Sequence, residues 1–420
     1  MRLTPALFLL PLLLAAPAAQ AAPATPAPLR IGLDHSFRHS TSVLVGSERP
    51  FVLLDPLTNR MLFRADGGTD YRMTVSASGI TLAKRVGALE SAVPGKFAAV
   101  LLVPSAGGFC RIARVGNRTE ETHHYRGTLT VRRDADGALR VINTVGLEPY
   151  LYGVIPAEIG TKVPAEAMKA QAVAARTYAL KNRGKCSKDG FDLDDTTRCE
   201  GYLGVDGETA ASNAAVDATG GQVLTWQGTL IDAPYSTDSG GVTACDTNGD
   251  CPYLQAVKDC DAGGEDYAAS GKYHIWSKAF TPTQIAGLLG RDPRSAVAGF
   301  ASLTIDGLDA SGRVTTATVW GAGGASKTIT GPQMRQILGY DVLRSTRLTL
   351  TRTAAGEYKF DGRGWGHGLG MSQDGAVSMA GAPYRKSYQE ILRHYYVGTQ
   401  VTALNTVSAA LPQTKPRRGF

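Results

Sequence analysis

The sequence predicts an α+β fold in which a β-rich N-terminal region precedes a domain of mixed strands and a few helices. Two observations support this prediction. Short apolar runs separated by Gly and Pro turn signals fill residues 29–140, as is typical of antiparallel strands. Residues 141–401 contain helical stripes among further strand-like runs, and the two kinds of element do not alternate as they would in a doubly wound sheet.

Residues 1–21 have the pattern of a secretory signal peptide. Arg2 precedes an apolar run from Ala6 to Ala16, and Ala19-Gln20-Ala21 is a small-x-small cleavage signal. A retained N-terminal anchor is the alternative. The sequence therefore predicts export to the periplasm, the cell wall or the medium, with no membrane span after cleavage. Residues 22–28 read as a Pro/Ala linker.

Strand signals dominate residues 29–140. Turns are expected at Gly67-Gly68 and Asp136-Gly137, and the alternation over residues 127–132 predicts a half-buried antiparallel strand. No catalytic constellation is recognisable in this region. The predicted strands include Val43–Val45, Phe51–Leu54, Tyr71–Val75 and Leu129–Val131.

Helix signals begin near residue 148. A short helix opens at Glu148-Pro149, and a longer one is expected from Pro164 to about Asn182, because proline is favoured in the first helical turn. Further helices are predicted over residues 209–218 and from Pro282 and Pro332. Residues 402–420 are expected to form a disordered tail. The long helix should bury a stripe of Met168, Ala172, Ala175 and Ala179.

Charge and cysteine content narrow the class of protein. The formal net charge of +7 is spread along the chain, so nucleic-acid binding is not predicted. The six cysteines are expected to form disulfides in an exported protein, and fifteen pairings are possible, of which Cys186–Cys199 is favoured because the two bracket a polar loop. No C-x-x-C pair or zinc-type His spacing is present, so no metal or other cofactor is predicted.

A glycine-rich run from Gly362 to Ala376 predicts a polar ligand site. Five glycines in nine residues, 362–370, alternate with Arg, Trp and His, a composition that does not suit a regular helix or strand. The run displays an imidazole, an indole, a guanidinium, a hydroxyl and an amide together.

Three segments, in this order, resemble the SpoIID/LytB family of peptidoglycan lytic transglycosylases. They are residues 145–179, with Glu148-Pro149-Tyr150-Leu151-Tyr152-Gly153 and a following Ala-rich helix, residues 233–243 around Ser239-Gly240-Gly241, and the glycine-rich run. The resemblance covers about residues 142–401. It implies a SpoIID-type α+β domain that cleaves the β-1,4 bond between N-acetylmuramic acid and N-acetylglucosamine, leaving 1,6-anhydro ends.

Glu158 is the predicted catalytic residue. It is a lone carboxylate among Val154, Ile155, Ala157 and Ile159, and desolvation there would raise its pKa so that it can act as a general acid. A lytic transglycosylase needs no second carboxylate, because the sugar's own C6 hydroxyl attacks the anomeric carbon. The family resemblance implies the same role.

The predicted substrate contacts come from all three segments. A mechanism with Ser239 as a nucleophile activated by His367 is the weaker alternative, since no G-x-S-x-G motif is present. His367 is expected to orient Glu158 or bind sugar, and Trp365 to stack on a sugar face or to fill the core. The predicted contacts are Gln171, Arg176, Tyr178, Ser239, Gly240, Gly241, Trp365, His367, Ser372 and Gln373.

Two departures from the family pattern matter. Ser236-Thr237 stands where many members have His-Ser, which argues against a structural zinc, and Glu200 stands where a Gln is usual. The predicted partners are peptidoglycan glycan strands and, as a second partner, a cell-wall amidase. The alternatives to the transglycosylase are a non-catalytic wall-binding protein or amidase activator, and a zinc hydrolase.

Overall fold

The computed structural model describes residues 26–115, 121–246 and 249–407. The predicted signal peptide and most of the predicted tail lie outside these residues, so both stay predictions. None of the helices in the described ranges has the length and apolar character that a membrane span requires.

Two sheets form the N-terminal region, which confirms that it is β-rich. The first has the order β13-β1-β12-β11-β8-β3-β4 and the second the order β10-β9-β2-β5-β6-β7. In β11, Leu129 and Val131 are buried while Thr128, Thr130 and Arg132 are only partly buried, as the alternation predicts. The elements are β1 (Leu29–Gly32), α1 (Asp34–Phe37), β2 (Ser42–Gly46), β3 (Phe51–Leu54), β4 (Met61–Ala65), β5 (Asp70–Ser76), β6 (Gly79–Val86), β7 (Leu89–Phe97), β8 (Ala99–Pro104), β9 (Cys110–Arg114), β10 (Thr122–Tyr125), β11 (Thr128–Arg133), β12 (Leu139–Val145) and, much later in the chain, β13 (Leu193–Asp194).

Three helices follow β12: α2 (Leu147–Glu158), α3 (Ala165–Lys181) and α4 (Ala210–Ala218). The predicted stripe of α3, from Met168 to Ala179, is buried in the same core as the two N-terminal sheets. The opposite side of α3, including Val173, lies in a second core with residues of the C-terminal helices. The strand β12 spans the predicted division at residue 140, so the N-terminal region and the first helices are packed together.

The described residues after α4 add small sheets and further α-helices. Thr281 and Thr330 cap α5 and α6 by accepting the backbone N–H of Gln284 and Gln333, and proline follows each cap, as the sequence predicts. The elements are β14 (Gln222–Trp226), β15 (Thr229–Leu230), β16 (Tyr235–Ser236), β17 (Ile275–Phe280), α5 (Pro282–Gly290), β18 (Phe300–Leu308), β19 (Val314–Gly321), β20 (Ser326–Thr330), α6 (Gly331–Leu338), β21 (Leu348–Arg352), β22 (Tyr358–Arg363), β23 (Met371–Ser372), α7 (Gln373–Ala380), α8 (Tyr388–Tyr395) and β24 (Gln400–Ala403).

The glycine-rich run is irregular over residues 364–370, as its composition predicts, but both of its ends are regular. Gly362 and Arg363 end β22, β23 pairs in parallel with β16, and residues 373–376 form the first turn of α7. The reason is local, because the Ser372 hydroxyl accepts the backbone N–H of Gly375 and thereby caps the helix.

Candidate active site

Glu158 is the last residue of α2. The helix buries Tyr150, Leu151, Val154 and Ile155 completely, and this packing fixes its orientation. Glu158 itself is only partly buried. Glu158 therefore lies at the boundary between the buried part of the helix and the solvent.

Both oxygens of the Glu158 carboxyl group are hydrogen-bonded. Oε1 accepts the backbone N–H of Gly201 at 2.5 Å, and Oε2 accepts Nε2–H of Gln373 at 3.3 Å. Burial raises the pKa of Glu158, and the two hydrogen bonds, which favour the carboxylate, partly oppose that rise. These opposing effects suit a group that must first give up a proton and then accept one.

Gln373 connects Glu158 to the central helix α3. Its Nε2 also lies 3.5 Å from Oε1 of Gln171, whose side chain is fully buried. Nε2 of Gln171 has no hydrogen-bond partner among the described residues. The structure thus brings Glu158, Gln171 and Gln373 together, as the sequence predicts.

The Ser239-Gly240-Gly241 turn packs against the start of the glycine-rich run. The backbones of Asp238 and Trp365 exchange hydrogen bonds of 3.0 and 2.9 Å. Gly364 has φ +77°, and a Cβ atom there would lie 2.5 Å from the backbone nitrogen of Gly240. Only glycine permits this approach. The backbone contacts between residues 238–241 and 364–365 form a surface that is called the wall below.

Ser239 and Ser372 hold this wall together. The Ser239 hydroxyl donates to Oδ2 of Asp259 at 2.5 Å, and its backbone N–H donates to the Ser372 hydroxyl at 3.3 Å. Each residue is 1% exposed. The Ser239 hydroxyl is thus bonded to a buried carboxylate, an arrangement that does not favour the serine-nucleophile alternative with His367.

His367 is held as a neutral imidazole. Its Nδ1 accepts the backbone N–H of Leu369 at 3.0 Å. Burial, assisted by the nearby positive charges of Arg335 and Arg313, lowers the pKa of His367 to about 4. Its ring therefore carries the proton on Nε2 at neutral pH and offers no positive charge to Glu158.

The guanidinium of Arg176 is hydrogen-bonded entirely within the protein. Its side chain is completely buried, and Nε and Nη2 donate to the two carboxylate oxygens of Glu148 at 2.8 and 2.6 Å. The remaining N–H groups donate to the carbonyls of Ala172, Gln222 and Val216. In this structure no guanidinium N–H is left for a glycan, and the residue joins α2, α3 and β14.

Tyr178 is partly buried farther along α3. Its hydroxyl accepts Nζ–H of Lys185 at 2.9 Å, and its ring contacts that of Tyr235 edge-to-face. Because Tyr235 contacts the loop that carries Gly201, Tyr178 lies at the border of the Glu158 site.

Glu200 is a second carboxyl group near Glu158, and the sequence does not predict it as a site residue. It is completely buried, and its oxygens accept the hydroxyls of Tyr235 at 2.8 Å and Tyr150 at 3.1 Å. Burial raises the pKa of Glu200 well above its ordinary value, and the neighbouring charge of Glu158 adds to the rise. The unusual Glu at this position is the sequence signal that points to it.

Replacing Glu200 by Gln should stabilise the protein at high pH. A carboxyl group with a raised folded-state pKa makes folding less favourable as pH rises above its unfolded value, near 4.3, toward the folded one. A neutral amide escapes this loss, so we expect the melting temperature of E200Q to exceed that of the wild type at pH 8 and to match it near pH 4. Thermal unfolding monitored by circular dichroism tests this, and equal melting temperatures at pH 8 would contradict it. The control Glu200→Ala should unfold earlier at both pH values, because two buried tyrosine hydroxyls lose their acceptor.

Cys186 and Cys199 are close but unbonded thiols. Their Sγ atoms are 3.8 Å apart, whereas a disulfide requires about 2.05 Å. With an oxygen of Asp194 they form a group of potential metal ligands within 4.8 Å of one another. Arg198 already contacts this group, with Nη2 2.9 Å from Cys186 Sγ and Nε on the Asp194 carboxylate. The predicted disulfide and the predicted absence of a metal both stay predictions.

The exported protein should contain a Cys186–Cys199 cross-link. Closing a loop of this size stabilises a fold by about 3 kcal/mol in the chain-entropy model. We expect the peptides that contain Cys186 and Cys199 to be linked in a non-reducing digest, and a Cys199→Ser melting temperature below that of the wild type only when no reductant is present. A wild-type melting temperature that does not change with reductant would contradict the cross-link.

The described geometry defines an α+β protein with a carboxyl group of raised pKa at the end of a helix, joined through Gln373 to a wall built by glycine backbone contacts. Comparison with known proteins agrees with this class. The model of the SpoIID family, described as stage II sporulation protein, matches residues 135–226, which include Glu158. The chain belongs to the SpoIID family.

Three relatives illustrate the similarity. The chain is 31% identical over 292 residues to stage II sporulation protein D of Bacillus subtilis, covering 62% of this chain and 76% of that protein. It is 33% identical over 296 residues to the amidase enhancer of B. subtilis, covering 60% of this chain but only 40% of the relative. An uncharacterized protein of Brachyspira hyodysenteriae is 32% identical over 275 residues, covering 64% of this chain and 70% of its own length.

Proposed function

We propose that this protein is an exported peptidoglycan lytic transglycosylase with Glu158 as its acid and base. The observation that carries the proposal is the state of Glu158, a partly exposed residue whose carboxyl pKa is raised by burial and whose two carboxyl oxygens are held by Gly201 and Gln373. The similarity to sporulation and amidase-enhancer proteins supports a role at the cell wall.

In the proposed reaction, Glu158 gives its proton to the glycosidic oxygen as the bond from the anomeric carbon to that oxygen breaks. The C6 hydroxyl oxygen of the same muramic acid residue then bonds to the anomeric carbon, and the Glu158 carboxylate takes the hydroxyl proton. The products are a 1,6-anhydro end and a free C4 hydroxyl, no water is consumed, and Glu158 is protonated again.

The position of Glu200 favours this reaction over hydrolysis. A glycoside hydrolase needs a second carboxyl group that can reach water or the anomeric carbon. Glu200 is completely buried and both of its oxygens are bonded to tyrosines. It has no surface from which to activate a water molecule.

Digestion of purified sacculi in ¹⁸O-labelled water tests the reaction type. We expect muropeptides with 1,6-anhydro ends and no incorporated ¹⁸O in the glycan. Reducing ends that carry ¹⁸O would instead identify a hydrolase.

The second candidate is a non-catalytic activator of a cell-wall amidase, which rests on the name of the amidase-enhancer relative. An assay of a purified amidase on sacculi, with and without this protein, separates the two proposals. Stimulation by both the wild type and Glu158→Gln, with no glycan cleavage by either, would support the activator.

A further inference from the structure

Four side chains from three parts of the chain form a cationic aromatic cluster, defined here as Lys272, Tyr273, Arg344 and Trp365. Of these, Trp365 belongs to the glycine-rich run. The Arg344 guanidinium carbon lies 3.5 Å from the Tyr273 ring centre and 4.8 Å from that of Trp365. The two rings meet edge-to-face at 4.6 Å, and the Lys272 ammonium is 4.9 Å from the Tyr273 centre. Lys272 is exposed and the others are partly exposed.

The cationic aromatic cluster is held in place by the backbone around it. The carbonyl of Arg344 accepts the N–H of Gly366 at 2.9 Å, and Gly364 donates to the carbonyl of His274 at 2.9 Å. The His274 ring is locked between Asp238 and Asp266 at 3.0 and 3.1 Å. Since His274 follows Tyr273 and Gly364 precedes Trp365, both rings are anchored before any ligand arrives.

The positive charges of the cluster are uncompensated. In the described part of the chain, neither Lys272 nor Arg344 forms an ion pair with an acidic side chain, whereas nearby Arg363 pairs with Asp266 at 2.6 Å. Both cations lie beside Tyr273, and the hydrogen bond from Lys272, followed by the charges of Lys272 and Arg344, lowers the Tyr273 pKa. An anion would complete this arrangement.

The cluster belongs to the same wall as the Glu158 site. The backbone of Trp365 pairs with that of Asp238. Tyr235 precedes Asp238 by three residues, and its hydroxyl donates to Glu200, the residue before Gly201. Three residues of extended chain span at most ~10 Å. That length joins only Tyr235 to Asp238, and the Tyr235 side chain, Glu200 and Gly201 add to it. A strand of several sugar residues would therefore be needed to reach from Glu158 to the cluster.

Resting on the proposed glycan-cleaving function, we propose that the cationic aromatic cluster is a subsite for a carboxylate-bearing sugar residue of the glycan strand. Tyr273 and Trp365 would take the apolar face of the sugar ring, and the stacked, planar Arg344 would bind the carboxylate through parallel N–H donors. The carboxylate has two sources in the wall: the lactyl group of muramic acid in peptide-free strands, or the peptides of peptide-bearing strands.

Binding measurements on the mature Glu158→Gln protein test the subsite without strand degradation. The ligands are fluorescently labelled peptide-free strands, the same strands with their lactyl carboxylates converted to methylamides, and peptide-bearing strands. We expect Arg344→Gln to weaken binding of carboxylate-bearing strands by about 10- to 100-fold and to leave the amidated strands unaffected. Arg344→Lys, which keeps the charge but not the planar donor pair, should lie between.

Arg352 supplies the matched control. Its guanidinium carbon lies 3.9 Å from the Tyr358 ring centre on the neighbouring strands, and it is exposed. Arg352→Gln removes an equivalent cation–aromatic contact and should leave binding unchanged. Circular dichroism melting checks that each variant is folded.

The outcomes distinguish the lactyl group from the peptide as the source of the carboxylate. They also distinguish failure of the subsite proposal from failure of the transglycosylase proposal. Loss of affinity on amidation assigns the lactyl group, whereas tight binding of peptide-bearing strands that Arg344→Gln weakens assigns the peptide. Equal binding by Arg344→Gln and Arg352→Gln, or no strand binding at all, overturns the subsite. Strands that bind through Arg344 but are never cleaved by the wild type overturn the transglycosylase and leave the subsite standing.

Discussion

Glu158→Gln is expected to reduce the release of anhydro-ended muropeptides from sacculi by about 10²- to 10⁴-fold, the usual contribution of a general acid–base group. The amide keeps the size of the side chain and can still face Gly201 and Gln373, but it can neither donate a proton to the glycosidic oxygen nor accept one from the C6 hydroxyl. Quantitative chromatography of the products, at equal protein and sacculus concentrations, measures the loss.

The pH dependence of the activity identifies the protonation state in which Glu158 is active. Because burial raises the Glu158 pKa, the protonated acid persists to higher pH than it would on an exposed glutamate. Activity should fall as pH rises through that raised pKa. The variant must also be folded: since Gln removes a carboxylate whose charge is disfavoured by burial, its melting temperature at pH 8 should equal or exceed that of the wild type. A folded variant with wild-type activity would remove Glu158 from the mechanism.

The sequence predicts the local structure well wherever periodicity and caps determine it. The buried stripe of α3 follows from spacing, and the starts of α5 and α6 follow from Pro282 and Pro332, because neighbours in sequence supply the determining contacts. The end of the glycine-rich run differs, since the Ser372 cap competes successfully with the high glycine content before it. Composition indicates where a ligand site lies, and a single hydroxyl decides where a helix starts.

The site is predicted less completely, because its contacts come from distant parts of the chain. Glu158 follows from its apolar neighbours, but its donors Gly201 and Gln373 are 43 and 215 residues away. Arg176 is a polar residue in an Ala-rich helix, and only its tertiary partner Glu148 shows that its guanidinium is buried and fully hydrogen-bonded. Sequence patterns supply candidates, and burial decides which of them face a ligand.

Glu148→Ala is expected to destabilise the protein by about 3–5 kcal/mol, because it leaves the completely buried Arg176 guanidinium without its carboxylate. The Glu148 side chain is 34% exposed, so the cost arises mainly from the arginine, whose two N–H groups toward Glu148 would lose their acceptors. Urea unfolding measures the change. A shift of this size would also lower the melting temperature by several degrees.

Two further variants show whether the loss comes from the stranded charge. Lys359→Ala breaks the exposed Lys359–Asp361 pair, 44% and 42% exposed, and should cost no more than about 1 kcal/mol. The double variant Glu148→Leu/Arg176→Met removes the buried charge together with its partner, so it should be more stable than Glu148→Ala alone. If the double variant were instead as unstable as the sum of its two single variants, the loss would come from packing, and Arg176 would act as a space-filling residue between α2 and α3.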